Sequence, residues 1–512
     1  MRMEDETVIK ETPEVGLSRL AISGVAWQVV ANLIRFGGQF IIGIALARLL
    51  PPEDFGIVGI ATIATGFATT MATLGLGPAV IQRKEVTERH LRVCQTASLG
   101  MSFLVMLALQ FSAGAVGDFF NDERVTPVLQ VLALTFLLSG FSVTAKAVLT
   151  RRMEFRTIIK IELLSSIAGF GGVSIAMAAA GCGYWSLVGG TLVQMCLSAI
   201  MSYSVVRNSL RPLVAAREIK DLLGFGAGIS AEKIINYWAL QGDYFVVGRL
   251  MNAVSLGYYT RAYMLMQLPQ KFIGMALSRA LFPAASAVQS DAVRFRRAYT
   301  TSLRISLLMS VPMTAGIVVL APEIINTLYG KAWRPAIVIL QVLATFGVFR
   351  MSYNNVTAFI HASGRTAILV GTQLVYAVLV VGGCWVAIPH AGLIGAAWAV
   401  GAAILAMWIM VLIQANIQFN VVWRDFLLLL FRSTLPGVLL GVALFVGVFA
   451  LRQTDWSDLA VLVLSGFAYV TFSSYVVIRQ LESLKHPEIS RMVAQVRRHV
   501  GGYINHVSDR MS

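Results

Sequence analysis

Residues 391–413 read AGLIGAAWAVGAAILAMWIMVLI and contain no charged side chain. An α-helix rises about 1.5 Å per residue, so a stretch of this length covers the roughly 30 Å hydrocarbon core of a bilayer. The preceding stretch, residues 366–388, reads TAILVGTQLVYAVLVVGGCWVAI and has the same character. Only a short interval separates the two stretches, which predicts a pair of membrane-spanning helices joined by a tight turn.

The same pattern recurs along almost the whole chain. Fourteen stretches are predicted to span a membrane: 20–47, 56–80, 93–115, 127–149, 158–180, 184–206, 222–248, 262–287, 298–320, 336–360, 366–388, 391–413, 427–450 and 457–479. The intervals between them are too short to fold a separate soluble domain. Long unbroken apolar runs also exclude a β-barrel, whose strands have about 10 residues of alternating polarity. We therefore expect an all-α polytopic membrane protein with fourteen transmembrane helices.

Composition agrees with this expectation and constrains the partners. Mean hydropathy is +0.73 and charged residues make up 13% of the chain, against about 25% in an average soluble domain. The net charge of +15 would suit a nucleic-acid partner. However, about two thirds of the Lys and Arg residues fall in alternate segments and their flanking helix ends, as the positive-inside rule predicts. We expect a multi-pass membrane protein with both termini cytoplasmic, and no nucleic-acid partner.

No cofactor, metal or catalytic motif is recognised in the sequence. The four cysteines are scattered without a CxxC pair, and the six histidines have no ligand spacing. The short predicted outer loops also argue against a polymerase or glycosyltransferase. We therefore expect a protein that is not an enzyme.

The chain contains an internal repeat. Ala47-Arg48-Leu49 followed by Gly56 recurs as Gly248-Arg249-Leu250 followed by Gly257, at an offset of 201. Three further pairs follow in the same order at offsets of 209 to 211: Gln130–Ala133 with Gln341–Ala344, Arg156-Thr157 with Arg365-Thr366, and Gly183 with Gly392. This order equates spans 1–6 with spans 7–12 in one orientation, an arrangement that places the substrate site of transporters between the repeats.

The repeat predicts the domain boundaries. They give a cytoplasmic N-terminal tail at 1–19, an N-terminal six-helix bundle at 20–206, a basic cytoplasmic linker at 207–221, a C-terminal six-helix bundle at 222–413, two appended helices at 414–479 and a basic cytoplasmic tail at 480–512.

Polar side chains inside spans mark a predicted central cavity, because charges are costly in lipid. Residues at i, i+4, i+7 and i+11 share one face of a helix. The predicted substrate-binding residues on or beside such faces are Asn32, Arg35 and Gln39 in span 1, Lys233 and Asn236 in span 7, Lys271 and Arg279 in span 8, and Arg350 in span 10. For Arg279 and Arg350, a position at the membrane interface is an equal alternative.

The cavity set is richer in basic than in acidic residues, which favours an anionic substrate. Arginine binds phosphate in a bidentate manner, and lysine binds it as a point charge. Glu232 and Asp243 in span 7 would repel such a substrate unless paired or protonated, so we interpret them as coupling or gating residues. Arg35 is their expected partner across the repeat axis.

Three segments resemble those of a known family. They are Ala45-Leu46-Ala47-Arg48-Leu49-Leu50-Pro51-Pro52-Glu53-Asp54-Phe55-Gly56, Leu74-Gly75-Leu76-Gly77-Pro78-Ala79-Val80-Ile81-Gln82, and Asp243-Tyr244-Phe245-Val246-Val247-Gly248-Arg249-Leu250 followed by Leu256-Gly257-Tyr258-Tyr259. They resemble segments of the Wzx-type polysaccharide flippases, and in particular the WzxC-type branch. This family belongs to the multidrug/oligosaccharidyl-lipid/polysaccharide exporter superfamily.

The resemblance implies a V-shaped pair of six-helix bundles that works by alternating access. The implied substrate is an undecaprenyl-diphosphate-linked oligosaccharide used for exopolysaccharide or lipopolysaccharide synthesis. Related lipid II flippases use arginines of the lumen, especially in span 1, where Arg35 lies. Implied partners are the lipid-linked glycan, membrane lipids and possible polymerase and chain-length proteins. The alternative within the superfamily is a cation-coupled exporter of small drugs.

Overall fold

The structure, a computed structural model, is almost entirely helical. It describes residues 7–9, 35–72, 80–81, 86–207, 211–213, 215, 227–271, 285, 288–365, 367–454 and 456–482. Within these residues, each of the fourteen predicted spans has a helical counterpart. We number the membrane helices α1 to α14 in chain order.

The first six membrane helices are α1 at 35–49, α2 at Pro52–Ala72, α3 at Glu88–Phe120, α4 at Val125–Arg151, α5 at Phe155–Ala179 and α6 at Trp185–Val205. The next four are α7 at Ala227–Leu250, α8 at Ala253–Pro269, α9 at Ala292–Val319 and α10 at Ala336–Ala362. A short helix at Ala321–Leu328 and a 3₁₀ turn at Lys331–Trp333 join α9 to α10. The last two helices are α13 at Trp423–Arg452 and α14 at Asp458–Glu482.

Helices α11 and α12 are the two parts of one long helical stretch, Ala367–Gln418. They separate at Gly392, where φ is 57° and ψ is −142°. This backbone conformation is readily available to glycine but strained for other residues. Pro389 lies three residues earlier and weakens the last turn of α11 by removing a backbone donor. The predicted separation of spans 11 and 12 is therefore confirmed, with the break at Gly392 rather than at residues 389–390.

The helices are suited to lipid by length and by composition. Ten described helices, counting α11 and α12 as one, are long and apolar enough to cross a membrane. Large apolar side chains also point outward, for example Phe111, which is 85% exposed, and Phe467, which is 76% exposed. Soluble proteins rarely expose such surfaces. The predicted fold class, an all-α polytopic membrane protein, is confirmed.

Helix α8 begins earlier than predicted. It starts at Ala253, nine residues before the predicted start at 262, because the side chain of Asn252 accepts a hydrogen bond from the backbone N–H of Ser255 at 2.9 Å. The apolar window missed this start because the first two turns of α8 contain polar residues. The shift places Arg261 inside a helix rather than in a loop.

A small β-structure accompanies the helices. Thr7–Ile9 pairs in antiparallel fashion with Val86–Thr87, with Thr7 opposite Thr87 and Ile9 opposite Val86. The predicted linker 207–221 is anchored to α3, since the N–H of Leu213 donates to Thr96 Oγ1 at 3.0 Å. Hydrophobic periodicity gave no sign of either contact, because both join segments that are far apart in the chain.

Contacts group the described residues into two compact units. The first draws on Met1–Tyr263, Leu328–Ile339 and Val370–Ala403, and the second on Met264–Thr327, Leu340–Leu369 and Ile404–Ser512. The first unit has an apolar core on α3, α4 and α5 that contains Leu91, Cys94, Val148 and Ile161. This grouping differs from the predicted bundles, because the first unit takes in parts of both repeats. The predicted domain boundaries therefore stay a prediction.

The second unit is held by two clusters. Phe295, Tyr299, Phe359 and Phe419 pack edge to face around α9 and α10, with ring centroids 5.0–5.8 Å apart. A second cluster joins α9 to the appended helices α13 and α14 and includes Leu320, Leu440, Leu444, Val448 and Tyr469. The Tyr469 hydroxyl donates to the Pro312 carbonyl at 2.8 Å, which ties α14 to α9.

Candidate functional site

The predicted cavity residue Arg35 lies on α1 and forms an ion pair with Glu162 of α5. Arg35 Nη1 is 3.2 Å from Glu162 Oε2, and 35% of each side chain is exposed. The guanidinium carbon also lies 5.3 Å from the ring centroid of the neighbouring Phe36. The sequence pattern suggested Glu232 or Asp243 as the partner. The structure instead gives Arg35 an acid of its own predicted bundle.

Helical rise puts both members of this pair at one depth. Arg35 precedes the end of α1 by fourteen residues, which corresponds to about 21 Å. Glu162 follows the start of α5 by seven residues, which corresponds to about 10 Å. In a bilayer core of about 30 Å, a point about 21 Å from one face is about 9 Å from the other, so the two positions agree in depth. The pair therefore lies in the half of the membrane near the start of both helices.

The position of Glu162 is set by tight packing of α5. An eight-residue π-helix, Ser166–Val173, begins one turn after it, and such segments are frequent at functional sites. A Cβ on Gly169 would clash with the backbone of Gln194 in α6, and one on Gly171 would lie 2.8 Å from Ile42 Cδ1 of α1. These glycines let α5 approach both neighbours, which holds Glu162 opposite Arg35.

Asp243 of α7 is almost fully buried in a group of tyrosines. Its side chain is 2% exposed, and the Tyr259 hydroxyl of α8 donates to Asp243 Oδ2 at 2.9 Å. The Tyr244 ring meets the rings of Tyr259 and Tyr263 edge to face, at centroid distances of 5.7 and 5.5 Å. A buried carboxylate needs such donors, because an unpaired one is costly. This geometry is compatible with the predicted gating role and does not test it.

The other predicted residues of the first unit lie in less enclosed places. Lys233 of α7 and Gln39 of α1 are half-buried, and Asn236 is exposed. The Gln373 side chain of α11 donates to Asn236 Oδ1 at 3.2 Å. The structure therefore joins Asn236 to α11, a helix that the sequence pattern did not include in the cavity.

Two predicted residues lie in the second unit. Lys271 is half-buried at the end of the described part of α8. Arg350 of α10 is 7% exposed and has interactions with its surroundings, which argues against the alternative of a snorkelling, interfacial arginine. Asn32 and Arg279 lie outside the described residues, and the side chain of Glu232 is not described either. Among the described residues, no group of three or more His, Cys, Asp and Glu side chains could hold a metal ion.

Both repeats meet at one end of the first unit, in a contact that we call the seam. It consists of Arg48, Pro52, Gly56, Arg249, Ala253, Gly257, Arg261, Leu328 and Trp333. A Cβ on Gly56 would clash with the Ala253 carbonyl, and a Cβ on Gly257 would clash with the Pro52 carbonyl. Ala253 is the repeat equivalent of Pro52, and Gly257 is that of Gly56, at the offset of 201. The two contacts are therefore reciprocal.

The repeated arginines of the seam are reciprocal in the same way. Arg48 at the end of α1 donates from Nε to the Leu328 carbonyl at 2.9 Å. Arg249 at the end of α7 lies over the Phe119 ring of α3, 4.9 Å from its centroid. Phe119 and Leu328 are themselves 209 residues apart. Phe119 lies at the end of α3, the third helix of the first repeat, and Leu328 follows α9, the third helix of the second repeat. Each arginine thus contacts the other repeat at or just after the end of its third helix.

A buried tryptophan and a third arginine complete the seam. Trp333 is fully buried and donates from Nε1 to the Ala47 carbonyl at 2.9 Å. The Arg261 guanidinium lies 4.0 Å from the centroid of the Phe55 ring, a cation–π contact. Tyr329 lies near Arg261, and its burial raises the pKa of its phenol above the ordinary value.

Sequence analysis missed Glu162 and Arg261. The signal for Glu162 was an acidic residue within the predicted span 158–180, since such residues are rare and have partners. Arg261 was placed in an outer loop because the start of α8 was predicted too late. Neither residue belongs to a recognisable polar stripe.

The chain is similar to curated proteins of bacterial polysaccharide synthesis. It is 25% identical to the lipopolysaccharide biosynthesis protein WzxC of Escherichia coli (strain K12), over 69% of this chain and 72% of that protein. It is also 25% identical to the succinoglycan biosynthesis transport protein ExoT of Rhizobium meliloti (strain 1021), over 72% of this chain and 75% of the relative.

A solved structure confirms the fold. The lipid II flippase MurJ, in an inward closed conformation, matches with a TM-score of 0.69 and 14% identity, over 91% of this chain and 99% of that one. The model of the polysaccharide biosynthesis protein family matches residues 45–338, more than half of the chain and most of both repeats. The match includes α2, α7, α8 and the whole seam, and on this basis the chain belongs to the polysaccharide biosynthesis protein family.

Proposed function

We propose that this protein is a flippase that moves an undecaprenyl-diphosphate-linked oligosaccharide from the cytoplasmic to the outer leaflet of the bacterial inner membrane. The observation that carries the proposal is the family match over residues 45–338. It is supported by relatives named for lipopolysaccharide biosynthesis and for succinoglycan transport. The substrate would be a repeat unit for exopolysaccharide or lipopolysaccharide synthesis, carried without chemical change.

The diphosphate and sugars would pass through a cationic central cavity by alternating access. Arg35 supports this assignment, because it is a third exposed although it lies within a membrane helix. Lys233 and Asn236 lie on α7, the repeat equivalent of α1. Asn32, Gln39, Lys271, Arg279 and Arg350 remain proposed cavity residues. Glu232 and Asp243 remain proposed coupling or gating residues.

The polyprenyl tail would stay in an apolar groove of the second unit. A cavity of about 390 Å³ lies between α9 and α14. Its lining includes Met309, Pro312, Gly316, Tyr469 and Val470. Most of these side chains are apolar, and one wall belongs to an appended helix, which supports a lipid ligand rather than a sugar.

The proposed orientation has both termini in the cytoplasm, as the distribution of basic residues indicates. The basic cytoplasmic segments offer a surface for polymerase and chain-length proteins. The protein would be a carrier and not an enzyme.

The test is complementation of a host that lacks its own flippase for a surface polymer. Wild type, Arg35→Ala and Asp243→Asn are compared at matched membrane abundance, and the lipid-linked oligosaccharide is extracted from each. We expect wild type to restore the polymer and both variants to accumulate the precursor. Arg294→Ala is the matched control, because Arg294 is 75% exposed at the start of α9 and should behave as wild type.

Two results would contradict the proposal. If both variants restore the polymer fully, Arg35 and Asp243 are structural and the cavity assignment is wrong. If wild type leaves precursor levels unchanged but alters tolerance to cationic drugs, the protein is a small-molecule exporter of the same superfamily.

A further inference from the structure

The ion pair between Arg35 and Glu162 leaves most of the arginine available. The two side chains meet through one contact, from Nη1 to Oε2 at 3.2 Å. Arg35 Nε is buried and has no hydrogen-bond partner among the described residues. A guanidinium has five N–H donors in a planar fork, and bidentate pairing with an anion uses two of them. Arg35 therefore retains donors for a second, larger anion.

Glu162 compensates the charge of Arg35 when no substrate is bound. An arginine inside a membrane span is costly unless it is paired or hydrated. Glu162 neutralises Arg35 at the same depth, so the pair carries no net charge. Since 35% of each side chain is exposed, a soluble head group can reach the pair without unfolding either helix.

The pair is also held in register by packing. Ile42, two turns after Arg35 on α1, contacts Gly171 of α5, nine residues after Glu162. The two helices therefore run in parallel from the ion pair to this tight contact. The π-helix Ser166–Val173 lies between Glu162 and the rest of α5, which makes this part of α5 structurally distinct from a regular helix.

We propose that Glu162 is an exchangeable counter-ion, which Arg35 releases when the substrate diphosphate binds and regains when the diphosphate leaves. A diphosphate has more charge and more acceptor oxygens than one carboxylate, so it can displace Glu162 from Arg35. Re-formation of the pair then favours release. The inference rests on the proposed function and adds to it a residue that positions Arg35 and tunes its affinity.

The test measures binding to purified full-length protein in detergent. The probes are undecaprenyl diphosphate and undecaprenol, which has the same tail without the charge. Glu162→Gln removes the competing charge and should bind undecaprenyl diphosphate about tenfold more tightly than wild type. Arg35→Gln should bind it about tenfold more weakly, and the double variant should resemble Arg35→Gln. Affinity for undecaprenol should not change in any variant.

Glu123→Gln is the control for net charge, since Glu123 lies exposed in the turn between α3 and α4. In cells, Glu162→Gln should still accumulate the lipid-linked precursor, because tighter binding slows release. Tighter binding together with slower transport is a combination that a merely structural ion pair does not produce.

The outcomes separate the two proposals. If wild type binds undecaprenyl diphosphate no better than undecaprenol, the proposed function fails and the exchange fails with it. If wild type prefers the diphosphate but Glu162→Gln and Arg35→Gln both weaken binding, the pair is structural and only the exchange is wrong. Tighter binding by Glu162→Gln together with weaker binding by Arg35→Gln supports the counter-ion exchange.

Discussion

At the scale of single residues, the sequence predicted which side chains are unusual but not what they contact. Arg35 and Asp243 were singled out because charged side chains inside membrane spans are costly and normally have a partner or face a cavity. Their partners, Glu162 and Tyr259, lie on helices α5 and α8. Such pairs depend on how helices are arranged around each other, and helical periodicity carries no information about that arrangement.

The buried carboxylate of Asp243 gives a prediction about stability. Tyr259→Phe removes a donor 2.9 Å from Asp243 Oδ2 and leaves the shape of the site unchanged. We expect the free energy of unfolding to fall by about 1–3 kcal/mol, because a buried polar group loses a hydrogen bond. The thermal midpoint of the purified protein measures this effect.

Tyr475→Phe is the matched control, because Tyr475 is 56% exposed on α14. Its midpoint should equal that of wild type. An unchanged midpoint for Tyr259→Phe would show that the hydrogen bond to Asp243 contributes nothing to stability.

At the scale of helices, the seam depends on two glycines. Gly56→Ala and Gly257→Ala each add a Cβ that would clash with a backbone carbonyl of the other repeat. The helices must separate, so we expect a lower thermal midpoint and accumulation of lipid-linked precursor in the complementation assay. Since the two contacts are reciprocal, the two variants should have similar effects.

Gly114→Ala in α3 is the control for the seam. A Cβ there meets nothing within 4 Å, and alanine favours a helix by about 0.5–1 kcal/mol relative to glycine. This variant should be as stable as wild type or slightly more stable. Wild-type behaviour of Gly257→Ala would mean that the seam does not restrain the repeats.

The groove between α9 and α14 gives a second prediction at the scale of helices, which concerns the position of the lipid tail. Gly466 lines the groove, and a Cβ at this position meets nothing within 4 Å. Gly466→Phe should therefore fill the groove without disturbing the backbone, and should lower polymer yield severalfold if the polyprenyl tail lies there. Surface polymer is measured at matched protein abundance.

Gly447→Phe on α13 is the matched control for Gly466→Phe. Gly447 also has open space around it but does not line the groove. Equal polymer yields in the two phenylalanine variants would place the lipid tail elsewhere.

At the scale of the whole molecule, orientation in the membrane can be read from one native thiol. Cys182 is exposed in the turn between α5 and α6, whereas Cys94 and Cys384 are buried. The predicted orientation puts this turn outside. A membrane-impermeant maleimide should therefore label intact cells or spheroplasts, and Cys182→Ser should abolish most of the labelling.

Labelling of Cys182 only after the membrane is permeabilised would reverse the proposed orientation. The direction of transport and the cytoplasmic placement of both termini would then be wrong, although the fold and the family would stand.

The sequence by itself determined the number and bounds of most membrane helices, the separation of α11 from α12 and the repeat. These properties are local, because hydrophobic length and glycine conformation act on each segment independently. Only the tertiary structure decided that Arg35 pairs with Glu162, that α8 begins early enough to include Arg261, and that the repeats meet through reciprocal glycines and arginines. Those contacts join residues up to 280 positions apart, and their free energy comes from side chains that approach each other only after the helices have packed.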